Sequence, residues 1–124
     1  MRIYSIDINS LSFKGFHMKL LTRQEELILL AVYHLKENAY LVTIRKFLKM
    51  QTKHPWSVGA VYVPLERLRR KGYLETYIGG PKARRGRNEI KYYKLTSTGL
   101  ELLAERKKIN DILWAQFSEM NYKV

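Results

Sequence analysis

The sequence has no cysteine, no long apolar run and few acidic residues, and each absence excludes a class of protein. Without cysteine there is no disulfide framework, no thiol nucleophile and no cysteine-ligated zinc site. The longest apolar run, residues 27–33, has seven residues, whereas a membrane span needs about 20. The first residues lack the pattern of a secretory signal. We therefore expect a cytoplasmic protein without a membrane partner.

What the sequence does contain is a surplus of positive charge. Its 124 residues suffice for one domain, and lysine and arginine number 23 against 11 acidic residues, a formal net charge of +12. Such a surface attracts polyanions, of which nucleic acid is the commonest in the cytoplasm. Ten of the basic residues lie within residues 66–94, beside only three acids. This concentration favours a binding surface over the alternative, lysines scattered for solubility.

Capping signals and apolar periodicity predict three helices in the first part of the chain. Thr22 and Glu25 have the spacing of a capping box, which predicts a helix ending near residue 36. A second helix is expected over about 43–51, and Ser57 is expected to cap a third. The predicted inner face of the first helix is Leu27, Leu30, Ala31, His34 and Leu35. The predicted core face of the third helix is Val58, Val61, Leu65 and Leu68.

A hairpin and a long helix are predicted to complete the fold. Two β-rich runs, 73–78 and 90–95, form the hairpin, and their glycine-rich connection carries four basic side chains. Thr96 is expected to cap a final helix that reaches about Met120. The fold class is therefore mainly α with a small β-hairpin, in the order of a winged helix-turn-helix: helix, helix, helix, hairpin (the wing), long helix.

Two helices have more apolar surface than a small core covers, which predicts a homodimer. The first helix also has apolar residues on the side away from its predicted inner face. The last helix carries a long apolar stripe that Arg106 and Asn110 interrupt. That interruption indicates polar pairing across a two-fold axis or one wet flank. The residues expected in the dimer interface are Leu29, Val32, Tyr33, Leu102, Ile109, Leu113, Trp114, Phe117 and Met120.

Residues 57–74, SVGAVYVPLERLRRKGYL, resemble the signature of the PadR-like transcriptional regulators. In that signature a small-residue turn and a Val-Tyr pair precede Leu-x-Arg-Leu and Lys-Gly-hydrophobic-Leu. Residues 39–45 and 91–99 are also similar to the family, and the resemblance covers roughly residues 22–118. It implies an N-terminal arm over 1–21, a winged-helix DNA-binding domain over 22–96 and a dimerisation helix over 97–124.

The resemblance implies that the third helix enters the major groove of DNA as part of a homodimer on a roughly palindromic site, most simply as a repressor. Small residues at the start of this helix leave its backbone open to a phosphate. Val63 is expected to contact a thymine methyl group, and Arg67 is expected to donate hydrogen bonds to a guanine edge. The basic connection is expected along the phosphates or in the minor groove. The expected DNA contacts are Ser57, Gly59, Ala60, Tyr62, Val63, Arg67, Arg70, Lys82, Arg84, Arg85 and Arg87.

No catalytic constellation, cofactor motif or metal site is found in the sequence. The three histidines, His17, His34 and His54, share no ligand spacing, and residues 79–86 lack the ending of a phosphate-binding loop. By resemblance, a small aromatic effector would bind near Trp114, although interface packing alone is the favoured role of that side chain. Two other functions stay open: an architectural or RNA-associated protein without sequence preference, and a winged-helix module that docks an acidic protein.

Overall fold

A computed structural model describes residues 21–79 and 89–117, and these ranges confirm the predicted order of elements. The helices and strands are α1 (Arg23–Leu35), α2 (Leu41–Thr52), α3 (Val58–Arg70), β1 (Leu74–Gly79), β2 (Ile90–Leu95) and α4 (Ser97–Trp114), with a 3-10 turn at Lys36–Asn38 between α1 and α2. The expected N-terminal arm up to residue 20, the tip of the hairpin and Met120 lie outside the described residues.

The helices begin where side-chain oxygens satisfy their free backbone N–H groups. The Thr22 hydroxyl accepts from the backbone of Glu25 at 3.0 Å, and the Glu25 carboxylate accepts from the backbone of Thr22 at 2.8 Å, so the predicted capping box is present. The Ser57 hydroxyl accepts from the backbone of Ala60 at 3.0 Å and caps α3. Thr96 caps α4 in the same way. The three predicted caps are therefore confirmed.

The central position of α1 overturns the predicted faces of this helix. Leu29 and Val32, expected in a dimer interface, are buried in the core of this chain, and His34, expected inside, is exposed. The physical reason is that α1 packs against α2, α3, β2 and α4 at once. A helix that is apolar nearly all round needs two buried contacts, and α4 of the same chain supplies the second one.

Two further expectations about the core are also wrong. Val58 is half exposed because α3 begins there, and the indole of Trp56, buried just before the helix, donates to the Thr52 hydroxyl at 3.0 Å. Leu102, expected in the dimer interface, is buried against the core of its own chain. The first part of α4 thus belongs to this domain.

Arg106 and Asn110, which interrupt the apolar stripe, both bind a buried carboxylate of their own chain. Arg106 donates to Glu26 at 2.9 Å, and the Asn110 amide donates to the other oxygen of the same carboxylate at 3.1 Å. Glu26 is buried on α1. These bonds hold α4 against α1 and account for the polar break in the apolar stripe.

The hairpin is antiparallel, with Leu74 opposite Leu95 and Gly79 opposite Ile90, as its sequence predicts. Its base adjoins the end of α3. There Gly72 has a φ of +85°, a conformation that side chains disfavour, and the Thr96 hydroxyl donates to its carbonyl at 2.7 Å. The hairpin therefore leaves α3 in a defined direction.

Gly99 in α4 is predicted to be intolerant of any side chain. A Cβ atom there would overlap the backbone oxygen of Tyr73 and lie 3.0 Å from the Leu95 side chain, so Gly99→Ala should lower the free energy of unfolding by about 3 kcal/mol. Gly59→Ala is the matched control, because it meets only open space and should raise stability by about 0.5–1 kcal/mol. Urea unfolding of both variants measures the difference, and equal effects would contradict this packing.

Candidate nucleic-acid interface

One side of α3 is open to solvent from its first turn to its last. Ser57, Gly59, Ala60, Tyr62, Val63 and Arg70 are all exposed. A Cβ atom built on Gly59 has no neighbour within 4 Å, so the backbone of the first turn is accessible to a large molecule. The N-terminus of a helix also favours an anion. The six expected contacts are thus all accessible along α3, and we call this set of residues the α3 face.

Arg67, expected to read a guanine edge, also forms a bond within the protein. Its Nε atom donates to the Glu25 carboxylate at 2.6 Å, and Glu25 is only 1% exposed. A buried carboxylate without such a partner would be costly, so this guanidinium group joins α3 to α1. The Arg67 side chain is nevertheless 40% exposed, so its expected contact with a guanine edge stays a prediction. Arg70, which is exposed and forms no ion pair with another described residue, is the cation at the end of the α3 face.

The pKa of Glu25 shows that its ion pairs outweigh its burial. Burial by itself would raise this pKa, but the hydrogen bonds from Arg67 and from the backbone of Thr22, together with the charge of Lys71, hold it below its ordinary value. Glu25 thus stays ionised at neutral pH. Sequence reasoning had singled out Glu25 only as a helix cap.

Glu66, a second buried carboxylate, connects α3 to β2. Its two oxygens accept hydrogen bonds from Arg69 at 2.9 Å, from Lys91 at 3.0 Å and from the Tyr93 hydroxyl at 2.6 Å. Burial alone would raise its pKa, but these three donors lower it to about 2. The pKa of Tyr93 is raised in turn, by burial and by its bond to Glu66.

Tyr62, an exposed member of the α3 face, lies beside the same cluster. The Lys91 ammonium group is 5.8 Å from the centre of the Tyr62 ring and 5.8 Å from that of Tyr93. These distances are within the range of cation–π attraction. The strand that leads out of the hairpin tip thus contacts the exposed side of α3.

Glu25 and Glu66 predict how the free energy of unfolding decreases at acidic pH. Both Glu25 and Glu66 have a lowered pKa in the folded chain, so both stabilise it above about pH 4.5 and lose that effect at lower pH; for Glu66 the loss is complete only as the pH falls through about 2. For Glu66 we expect a loss of roughly 2 kcal/mol after allowance for solvent screening. Urea unfolding across this pH range measures it. The loss should be shallower in Glu66→Gln, and parallel curves would contradict the assignment.

Sequence reasoning missed a basic surface on α2. Its signal was present, because residues 39–65 contain no acid but include Arg45, Lys46, Lys49 and Lys53. Arg45 donates from Nε to the carbonyl of Trp56 at 2.6 Å, which places it beside the start of α3. Lys46, Lys49 and Lys53 are exposed. The cations of α2 therefore extend the positive charge beyond the first turn of α3.

The four basic residues of the hairpin tip, Lys82, Arg84, Arg85 and Arg87, lie outside the described residues. Their role stays a prediction. What the structure describes is the pair of strands that carries them, since the tip follows Gly79 and precedes Ile90 on the strand of Lys91.

The far end of α4 carries exposed apolar side chains. Leu113 is 70% exposed, Trp114 63% and Phe117 52%, and the last two rings meet edge to face at 5.1 Å. Tyr33, on α1, is half exposed, whereas Ile109 is partly buried against the core. A cavity of about 640 Å³ lies between α1 and α4, lined by residues that include Leu30, Tyr33 and Leu103 but not Trp114.

Among the described residues, no helix is both long and apolar enough to cross a membrane. Within ranges 21–79 and 89–117, no three His, Asp or Glu side chains come together as a metal site would require.

The family model of the PadR-like transcriptional regulators matches residues 29–105, which is more than half of the sequence. The chain belongs to this family. In this PadR-like protein the match begins within α1 and continues through α2, α3 and the hairpin to the middle of α4. No curated protein matches its sequence.

Solved structures show that the fold is that of winged-helix regulators. A PadR-like transcription factor from Bacteroides fragilis is 24% identical, with 95% of this chain and 99% of that chain covered and a TM-score of 0.62. A PadR family regulator from Clostridium difficile is 22% identical, with 77% and 98% covered and a TM-score of 0.63. A MepR variant from S. aureus, bound to an oligodeoxyribonucleotide, is 20% identical, with 98% and 84% covered and a TM-score of 0.58. In this PadR-like protein the hairpin is accordingly the wing.

Proposed function

We propose that this PadR-like protein is a sequence-specific regulator that binds double-stranded DNA as a homodimer and represses transcription in the cytoplasm. The observation that carries the proposal is the α3 face: an open helix N-terminus with small residues, followed by Tyr62, Val63 and Arg70, all exposed on one side. A duplex groove needs such a surface, because the backbone must approach closely before side chains reach the base edges.

Electrostatics supports DNA as the partner. The formal net charge is +12, the cations of α2 adjoin the start of α3, and the wing carries four more basic residues at its tip. This net charge already counts the buried carboxylates Glu25, Glu66 and Glu26, which are paired with cations of their own chain. The structure of a related MepR variant with an oligodeoxyribonucleotide supports the same partner.

The other proposed contacts form two groups. On the α3 face, Ser57, Gly59, Ala60, Tyr62, Val63 and Arg70 approach the bases and the nearest phosphates. On the wing, Lys82, Arg84, Arg85 and Arg87 contribute affinity through phosphates more than sequence choice. Arg67 binds Glu25 through Nε, which holds α3 in place, and its partly exposed side chain is also the proposed donor to a guanine edge.

A homodimer follows from the uncovered end of α4. Leu113, Trp114 and Phe117 are apolar and exposed in the single chain, and a second copy of this helix would cover them. Two α3 helices related by a two-fold axis would then enter successive major grooves about 34 Å apart on a roughly palindromic site. The remaining interface prediction is Leu113, Trp114, Phe117 and Tyr33, with Ile109 at the edge and Met120 outside the described residues. Binding of a small aromatic effector near Trp114 stays a prediction by family resemblance.

Selection of bound duplexes from a random pool tests the proposal. We expect a two-fold symmetric consensus that the protein prefers by about 10³-fold or more over bulk DNA. Bound duplexes without a consensus would instead identify an architectural protein. Absence of duplex binding even at low salt would leave a module that docks an acidic protein.

A further inference from the structure

A cluster of hydrogen bonds ties the outer part of the wing to α3, and it centres on Glu66. The donors from the wing are Lys91 and Tyr93, which are two residues apart on β2 and so project from the same side of the strand. The third donor, Arg69, comes from α3 itself. One carboxylate therefore holds two consecutive same-side residues of the strand against the helix.

The position of this cluster along the hairpin distinguishes it from the other attachments of the wing. Backbone bonds anchor the base, from Thr96 to the carbonyl of Tyr73 at 3.1 Å and from Tyr93 to that of Ala39 at 2.8 Å. Of the hydrogen bonds between hairpin and helices within ranges 21–79 and 89–117, the bond from Lys91 lies nearest to the tip. Loss of this bond would leave the base attached but free the outer end.

The cluster also meets the α3 face directly. Lys91 lies over the ring of Tyr62, an exposed side chain of that face. The same ammonium group thus contacts the buried Glu66 and an exposed proposed DNA contact. Any change in the angle between wing and α3 would shift both.

We infer that Glu66 is a positioning residue that fixes the angle between the wing and α3, so that both reach one duplex together. This inference rests on the proposed function. Two tethered binding surfaces reinforce each other only when their geometry permits simultaneous contact. Glu66 itself is 8% exposed and carries the wrong charge to bind a phosphate, so its contribution to DNA binding must act through the groups that it holds.

Affinity measurements separate positioning from simple charge. Glu66→Gln removes a negative charge beside the DNA surface, and electrostatics alone would therefore tighten binding to any duplex. Positioning predicts the opposite sign: about 10-fold weaker binding to the selected site, and weaker binding to bulk DNA as well, because the wing contributes affinity through phosphates. Glu75→Gln is the matched control, because it removes the same charge from an exposed pair with Lys94 on the same hairpin. Unchanged or tighter binding of Glu66→Gln to the selected site overturns the inference.

A second variant keeps the test independent of charge and folding. Tyr93→Phe removes only the hydroxyl donor of a side chain that is 1% exposed and cannot touch DNA. We expect about 3-fold weaker binding to the selected site at a temperature where unfolding curves show the chain fully folded. Wild-type affinity in this variant, together with wild-type affinity in Glu66→Gln, would show that the cluster is only structural.

Distances between spin labels test the angle without DNA. Because the chain has no cysteine, Val58→Cys and Ile78→Cys provide two exposed labelling sites, one on α3 and one near the outer end of β1. The labelled chain is diluted with unlabelled chain so that one pair is measured. Glu66→Gln should broaden the distance distribution, and Glu75→Gln should not. A distribution as narrow as in the parent chain overturns the inference, whereas failure of the parent chain to bind duplex overturns only the proposed function.

Discussion

Replacement of Arg84, Arg85 and Arg87 together by alanine is expected to weaken binding to every duplex by about 100-fold at physiological salt. Each phosphate neutralised contributes about 0.9 to the slope of log affinity against log salt concentration, so three lost contacts lower the slope by about 2.7. Between about 1 M and about 0.15 M salt, that change in slope amounts to roughly two decades of affinity. Fluorescence anisotropy with the selected duplex and a scrambled duplex, over a range of salt, measures both quantities.

The matched control for this prediction replaces the same three arginines by lysine. Lysine keeps the charge but not the planar fork of donors, so a wing that acts through phosphates should retain most of its affinity and its salt slope. A wing that reads bases through arginine would lose both in the lysine variant. If alanine weakens only the selected duplex, the assignment of affinity to the wing and of sequence choice to the α3 face is wrong.

Leu113→Glu is expected to separate the dimer and to lower affinity for the palindromic site by 10²-fold or more. The side chain is 70% exposed in the single chain, so the substitution should change the stability of the monomer by at most about 0.5 kcal/mol. A carboxylate buried between two copies of α4 would lack a partner. Loss of the second half-site then removes the tethering that raises avidity by about 10²–10⁴.

Sedimentation equilibrium and duplex binding, measured on the same preparations, check this prediction. Gln116→Glu is the matched control, since it introduces the same charge at an exposed position on the same end of the chain. The control should stay dimeric and bind normally. A Leu113→Glu chain that remains dimeric would place the interface elsewhere, and a monomeric chain that binds as tightly as its parent would remove the dimer from the mechanism.

Local signals were sufficient to predict the elements and their order. These signals depend only on residues a few positions apart: a side-chain oxygen before each of three helices, a glycine at the end of α3 and two β-rich runs. The structure confirms the caps at Thr22, Ser57 and Thr96. The exposed side of α3 could also be predicted, because helical periodicity places Gly59, Val63 and Arg70 on one side. The basic character of α2 was likewise readable from residues 39–65, where acids are absent.

The partners of the charged residues could not be predicted in the same way. Arg67 binds Glu25 across 42 residues of sequence, and Arg106 binds Glu26 across 80. Periodicity states which side of a helix a residue occupies but not which other helix lies there. An arginine on the outer side of α3 and an arginine that joins α3 to α1 therefore have the same sequence pattern.

The sequence by itself determined where the helices and strands begin, the positive charge and the family, because all three depend on residue types at short spacing. Only the tertiary structure decided that α1 is covered on both sides by its own chain, so that Leu29, Val32 and Leu102 belong to the core and not to an interface. It also decided that Glu66 joins the wing to α3. The physical reason is that burial and ion pairing depend on which surfaces meet, and contacts between distant residues form only when the chain has folded.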